Sequence, residues 1–583
     1  MRSSRYSKAA AAAAVAAVSF CALPVRAASP PAMNDALNAI AAYAPQALAY
    51  QGAPGVSIAI TDRTHTLRVI TLGYANLDAK TPVTPQTRFP VGSITKGMTA
   101  TALMELRDAG TFDPRKPVSA YLPWFRINSD RKTIYAHQLL SHTAGIPDDF
   151  TFAPGYLFSV AALRDAHTLF APGSRWAYSN DGLSTAGAIL SALDGRTWER
   201  SVQTRVFDRL GMTRTSASFT AQSLADAANG YEFGDMNVLT PAQPRLLAVY
   251  PGDFVDPAGT VISTPEDMAR YMRFLINGGV NDRGERVISQ NSYDLMTTPD
   301  DMNGKPAGPA TPELSEAPLM YQHYGFGLAL HTENGEKYVA HTGGIGGYSA
   351  CMETDVTGGY GVIAMSNLVE APLHPCAIVL YAMQVLHAQA LGQPLPAAPA
   401  ATQGTYLQNT HVENADRLSG TYTSGTDSSA ITISSGGSML TLATPRGPAP
   451  LYTRGGTTFW VDDPRFAAYG LTFVPGKNGA MEVVSGPQWF YNEKYTGPKT
   501  YAAPANLALY AGRYEGEQLW GVSPASRVFA LKGKLTVDGT PLIEQKNGTF
   551  KLGSSVVRFD TLAGGQMQRM WIDGLPMYRI DLP

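Results

Sequence analysis

At 583 residues the chain is too long for one hydrophobic core, so two or three domains are expected. A hydrophobic content of 44% against 16% charged residues suits a globular protein and excludes a disordered one. The net charge of −2 supplies no general attraction to nucleic acid or to an anionic membrane.

The chain opens "MRSSRYSKAAAAAAVAAVSFCALPVRAAS", with Arg2, Arg5 and Lys8 ahead of an Ala/Val-rich run and a small-residue site at Val25-Arg26-Ala27. That three-part layout predicts an export signal over residues 1–27, cleaved after Ala27, and hence a periplasmic or secreted protein without a stable membrane anchor. The apolar run is short and Ala-rich for a span, and bulky Phe20 before Cys21 fits lipoprotein processing poorly. Removing the signal leaves Cys351 and Cys376. An oxidising compartment allows them to pair, and two buried free thiols fit the sequence equally well.

Residues 34–48 predict an amphipathic helix, and "GVSIAITD" and "LRVITLGYANL" predict strands. The stretch "PVGSITKGMTA" then heads a helix-like run that puts Ser93 and Lys96 on one face a turn apart, with the amine in reach of the hydroxyl. Alone, S-x-x-K is weak. An N-cap serine before a solvated lysine gives the same pattern, and Ser129-Asp130-Arg131-Lys132 repeats it in a stretch that reads as an exposed turn. A mostly helical, loop-rich region continues to about residue 300. In it, Thr264 and Pro265 mark a helix start with a cap, a proline at the first position and acids in the first turn. Then "YGFGLAL", "KYVAHTGG", "YSACMET" and "GYGVIAMSN" read as consecutive strands, and "HPCAIVLYAMQVLHA" as a closing helix. This order predicts an α+β unit: one antiparallel sheet built from both ends of the segment and flanked by helices, with an all-helical lobe between.

The Pro/Ala-rich "LGQPLPAAPAATQGT" marks a linker. The expected division is a unit over 28–395, a linker over 396–411, and β-rich units over 412–502 and 503–583. The last two carry a weak repeat: "LSGTY" at 418–422 matches "YAGRY" at 510–514, and "PLYTRGGTTF" at 450–459 matches "PLIEQKNGTF" at 541–550. Two copies of a small barrel-like β unit, or halves of one, account for it. Trp460, Trp489, Trp520 and Trp571 fall here and read as core.

Two further motifs lie downstream of Ser93: Tyr178-Ser179-Asn180 in "RWAYSNDGL" and His341-Thr342-Gly343-Gly344 in "AHTGGIGGYS". S-x-x-K, Y-x-N and [K/H]-T-G in that order resemble the serine hydrolases related to class C β-lactamases and penicillin-binding proteins. The similarity runs from about residue 33 to 395 and includes "LLSHTAGIP" and "YGFGLAL". A second Y-x-N, at Tyr74 in "GYANL", falls before the serine and is out of order.

The resemblance implies that Ser93 attacks a carbonyl to form an acyl-enzyme, with Lys96 and Tyr178 sharing the proton work. Which of those two is the formal base stays open. It implies an oxyanion hole from the backbone N–H groups of Ser93 and Gly344. Asn180 would hydrogen-bond Lys96, and His341, Thr342 and Gly343 would line the substrate edge. His341 departs from the lysine of the β-lactam-binding members. An imidazole near its ordinary pKa is mostly neutral at pH 7 and binds a carboxylate weakly, a form that resembles the D-aminopeptidases, amidases and some esterases. His142 reads as a structural residue behind the cleft, and Asp181 as a helix cap.

There is no G-x-S-x-G elbow, H-E-x-x-H pair or Walker loop, and the cysteines are too few for a zinc site. No metal or cofactor is expected. The sequence thus points to an exported serine hydrolase acting on a small-molecule or short peptide substrate. D-residue peptides or amides rank first, then esters, then β-lactams. A non-catalytic cell-wall-peptide binder is the alternative from another class. The C-terminal extension resembles barrel domains that shape the cleft in some D-aminopeptidases, with "GPQWFYNEKYTG" the candidate loop.

Overall fold

The strand Gly55–Thr61 is buried along its whole length, as expected of a small and apolar run, "GVSIAIT", at the centre of a sheet covered on both faces. In the computed structural model it pairs with Thr66–Asn76 on one side and with Tyr360–Ser366 on the other, both antiparallel. It therefore joins the two ends of the segment. The full sheet runs Thr81–Pro82, Thr66–Asn76, Gly55–Thr61, Tyr360–Ser366, Tyr348–Asp355, Glu336–Ile345, Ala329–Glu333, His323–Tyr324. The structure describes residues 32–129, 133–148, 155–234, 245–249, 256–300, 322–369, 375–399, 408–453, 456–467, 469–516, 526–553, 555–572 and 575–580. The expected export signal, residues 130–132 of the second S-x-x-K, and Trp520 lie outside these.

Period-two alternation assigns the two faces. Ile58, Ile60, Val362 and Ala364 join Ile40, Tyr43, Val379 and Leu386 in one core, under the helices Met33–Gln51 and Cys376–Ala390. Ala59, Ile363 and Met365 point the other way and meet Met98, Leu103, Met272 and Phe274, from the helices Thr95–Asp108 and Pro265–Ile276. The second of these helices starts as its sequence suggests, with Pro265 at the first position and the Thr264 hydroxyl accepting from the Asp267 N–H at 3.4 Å.

Two separate β units follow. The first is a nine-stranded sheet whose edge strands, Gly447–Pro450 and Tyr452–Thr453, are consecutive in the chain, so the sheet curls round. The second, from Gly512–Gly516 to Leu575–Ile580, is a closed eight-stranded barrel. The repeat has a structural counterpart in each. Tyr422 and Tyr514 are both buried, and each donates its hydroxyl to the carbonyl four residues back, of Leu418 and Tyr510, at 2.8 Å. Leu451 and Phe459 fill one core as Leu542 and Phe550 fill the other. The "GPQWFYNEKYTG" segment is engaged at the junction of the units. Trp489 packs on Tyr491, Tyr495 and Tyr501, and the Lys532 amine lies 5.1 Å from the Trp489 ring.

Cys351 and Cys376 form a disulfide with Cα atoms 5.1 Å apart, tying a central strand to the first residue of the covering helix. Removing it by the double substitution Cys351→Ala, Cys376→Ala frees a loop with a sequence separation of 25. By loop-closure entropy this lowers the unfolding free energy by about 3.5 kcal/mol. Urea titration reads the change, and a loss below about 1 kcal/mol would show that helix packing alone holds this face.

Candidate active site

The residues Gly92–Ile94 form a tight 3-10 turn that runs directly into the helix Thr95–Asp108. The turn holds the half-buried Ser93 at the positive end of the helix, where the peptide dipoles favour negative charge on its oxygen. One turn on, Lys96 is fully buried. Its Nζ donates to Ser93 Oγ at 2.9 Å, to Asn180 Oδ1 at 2.7 Å and to the Ala258 carbonyl at 2.8 Å. The amide oxygen and the carbonyl can only accept, so they hold two N–H bonds whether the amine is charged or neutral. In its neutral form the amine can also accept at this contact, so a proton can then cross from Ser93.

The Tyr178-Ser179-Asn180 segment enters from the helix Asn180–Asp194. Its cap is Ser179, whose hydroxyl accepts from the Gly182 N–H at 2.9 Å, and Asp181 sits in the first turn rather than at the cap. Capping fixes the angle at which Asn180 reaches Lys96. The Asn180 N–H also donates to Asp148 Oδ1 at 2.5 Å. The Tyr178 ring lies with its centroid 4.7 Å from Lys96 Nζ, in cation–π range. Behind it, the His142 ring lies 4.3 Å away, and its Nδ1 accepts from the Ser179 N–H at 3.1 Å. His142 thus braces the motif from the rear, on a left-handed backbone with φ 59°.

The third motif occupies the end of strand Glu336–Ile345. Pairing with Ala329–Glu333 stops at Ala340, so residues 341–345 run on past that neighbour. Two glycines let the Ser93 turn lie against this stretch. A Cβ on Gly343 would sit 2.0 Å from the Val91 carbonyl oxygen and 3.2 Å from the Ser93 nitrogen. A Cβ on Gly92, whose φ is +53°, would sit 2.6 Å from the Gly344 nitrogen. The Ser93 and Gly344 amides are thereby brought to one spot, and Gly344 is exposed there.

His341 is buried at 1% exposure. Its Nδ1–H donates to the Thr342 carbonyl at 2.5 Å, and its Nε2 lies 2.7 Å from the Tyr324 hydroxyl, a group that can donate or accept. Burial, then the nearby Lys96 charge, pushes the His341 pKa down to about 3, far from the ordinary value the sequence alone suggests. The same two causes, with His341 added, hold His142 well below its usual range. His341 meets the cleft as a neutral ring and not as a cation, and Thr342 beside it stays half-buried.

The structure brings Ser93, Lys96 and Asn180 into one hydrogen-bonded chain, sets Tyr178 against it, and lays Gly343 and Gly344 alongside. Sequence reasoning missed three contributors. The Ala258 carbonyl is main chain and has no side-chain signature. Tyr324 and Asp148 belong to none of the three motifs, although Tyr324 opens the "YGFGLAL" stretch already singled out.

The family model described as Beta-lactamase matches residues 40–378. Protein flp of Staphylococcus aureus (strain NCTC 8325 / PS 47) is 24% identical over 325 residues, covering 54% of this chain and 60% of the relative. Protein Rv1367c of Mycobacterium tuberculosis is 28% identical over 271 residues, covering 42% of this chain and 67% of the relative. The match to the first of these thus spans less than two thirds of its length. An octameric penicillin-binding protein homologue from Pyrococcus abyssi shares the fold with a TM-score of 0.55 at 21% identity, over 78% of this chain and 100% of that one.

Two outcomes are expected from this geometry. Gly343→Ala forces a Cβ into main-chain atoms, so labelling of Ser93 by a fluorophosphonate should slow by about 100-fold while the fold persists by circular dichroism. An unchanged rate would show that the turn and strand need not touch. His341 titrates at about 3 when folded and near 6.5 when unfolded, so its stability contribution, present above pH 6.5, is lost as pH falls toward 3. In that window it adds a slope of about 1.4 kcal/mol per pH unit. Urea unfolding of His341→Gln between pH 7 and 4.5 should show one proton less of pH dependence, and an identical slope would mean that the ring is charged in the folded protein.

Proposed function

The chain belongs to the beta-lactamase family, and on that premise we propose that it is an exported serine hydrolase that cleaves amide bonds in D-residue peptides or amides through an acyl-enzyme. The observation that carries this reading is the Lys96 Nζ to Ser93 Oγ contact, held at its other side by Asn180 and Ala258. Ser93 Oγ attacks the substrate carbonyl as its proton passes to the Lys96–Tyr178 pair. The carbonyl oxygen takes up the negative charge and is met by the Ser93 and Gly344 N–H groups. The C–N bond then breaks, and the pair returns the proton to the departing amine. Water attacks the ester by the same route in reverse, gives its proton to the pair and releases the acid and the free serine hydroxyl.

The neutral, buried His341 supports the choice of substrate class. A fixed cation at this position would favour substrates with a carboxylate beside the scissile bond, as in β-lactams, and a neutral ring removes that preference. Esters remain chemically accessible to the same nucleophile. A purely binding role is disfavoured by the intact Ser93–Lys96 contact, because burying an amine without catalytic use carries a desolvation cost for no return.

A fluorophosphonate or labelled penicillin should label the wild-type protein at Ser93. Ser93→Ala should abolish labelling, and turnover should fall by at least about 1,000-fold. In a panel of D- and L-amino-acid amides, short-chain esters and a chromogenic cephalosporin, kcat/KM should be highest for the D-amides. Absence of any labelling would overturn the enzyme reading, and a preference for esters or the cephalosporin would overturn the substrate class alone.

A further inference from the structure

A second constellation of chemistry-bearing side chains lies outside the Ser93 site, on the sheet face covered by the helix Cys376–Ala390. Across the strands Ala329–Glu333, Glu336–Ile345 and Tyr348–Asp355, His331 stands opposite Tyr338 and Tyr338 opposite Asp355. Glu333 stands opposite Glu336, and Glu353 precedes Asp355 by two positions on the same face. His387 reaches this face from the last turn of the helix. Its Nδ1 lies 3.3 Å from Glu336 Oε2, yet that oxygen accepts no aligned hydrogen bond. Two ligands of a common third atom stand in this relation. The donor atoms of Glu336, Asp355 and His387 all lie within 4.8 Å of one another.

An independent observation comes from the cavity of about 340 Å³ beside His387, lined also by His331, Tyr338, Glu353 and Met383. His331 Nε2 and Glu353 Oε1 are 3.0 Å apart, with side chains only 2% and 3% exposed. Their outer atoms, His331 Nδ1 and Glu353 Oε2, have no hydrogen-bond partner. A buried imidazole and a buried carboxylate with unsatisfied atoms thus belong to residues that also line this cavity, which is a polar setting next to His387.

We propose that Glu336, Asp355 and His387 bind a divalent metal ion, with Zn²⁺ the best fit to one imidazole nitrogen and two carboxylate oxygens, at a site that borders the cavity through His387 alone. The ion does no chemistry at Ser93. It clamps the C-terminal end of the helix to the sheet, as the disulfide at Cys376 clamps the N-terminal end.

The test uses the full-length chain, stripped with EDTA and exchanged into chelator-free buffer, titrated calorimetrically with ZnCl₂ and, in separate runs, MnCl₂ and CaCl₂. One equivalent of Zn²⁺ should bind and raise the melting temperature. His387→Ala and Asp355→Asn should each weaken binding by at least about tenfold while fluorophosphonate labelling at Ser93 persists. Should Asp355→Asn not fold, Glu336→Gln replaces it. No saturable Zn²⁺ binding by the wild type overturns the proposal, as does binding of equal strength in His387→Ala. Tighter binding of Ca²⁺ than of Zn²⁺ overturns the metal assignment.

Discussion

The amine of Lys96, wholly removed from water, is the constraint around which this protein is arranged. An ammonium at such a site is tolerated only when oxygens replace its hydration shell at close range, and three elements each supply one: the Ser93 turn, the Asn180 helix start and the Ala258 carbonyl. Each of those elements is fixed in turn. Ser179 caps the Asn180 helix, and Thr99 Oγ1 donates to the Pro257 carbonyl at 2.7 Å, next to Ala258. The requirement of one buried charge thus reaches into the helical lobe far beyond the side chains that would do chemistry.

The same charge sets the state of its neighbours. His142 and His341 both lie within its field, and a second or third cation in that volume would add like-charge repulsion to the cost of burial. The hydrogen bonds agree with the electrostatics. His142 accepts at Nδ1 from a backbone N–H, which only a neutral ring can do, and His341, kept neutral by burial and the nearby amine, donates at Nδ1 to a carbonyl, so the two rings are tautomers of opposite kinds.

What was legible in the sequence was side-chain chemistry in a fixed order. Ser93, Lys96, Tyr178 and Asn180 could be singled out because their motifs, followed by H-T-G in the same order, resemble those of a known hydrolase family. The sheet could be assembled because "GVSIAIT" and "GYGVIAMS" both read as buried strands. What escaped has no local signature. A carbonyl donor site such as Ala258 is invisible at the level of residue type, and Tyr324 is indistinguishable from core until its hydroxyl finds His341. The cap went to Ser179 and not to Asp181 because the helix starts two residues earlier than a cap at Asp181 supposes. The pairing of Cys351 with Cys376 depended on the helix docking over its strand, a tertiary fact. In the C-terminal units the repeat was readable through Tyr422 and Tyr514, whereas the closure of the second into a barrel follows from pairing between its first and last strands.

The histidine in the third motif is best understood together with Lys96. A lysine at position 341 would present a second ammonium to a region that already holds one, and it would need solvent or an anionic ligand to offset it. Here the site is closed instead: Tyr324 donates into the ring from one side, and the Thr342 carbonyl accepts from the other. Under the proposed function, specificity would then come from shape and from neutral hydrogen-bond donors along residues 342–344, since no fixed positive charge is offered at His341. Within a scaffold whose glycines hold Ser93 against that strand, a buried neutral ring in place of a cation removes one positive charge from the cleft while leaving Ser93, the Lys96 amine and the Ser93 and Gly344 amides where they are.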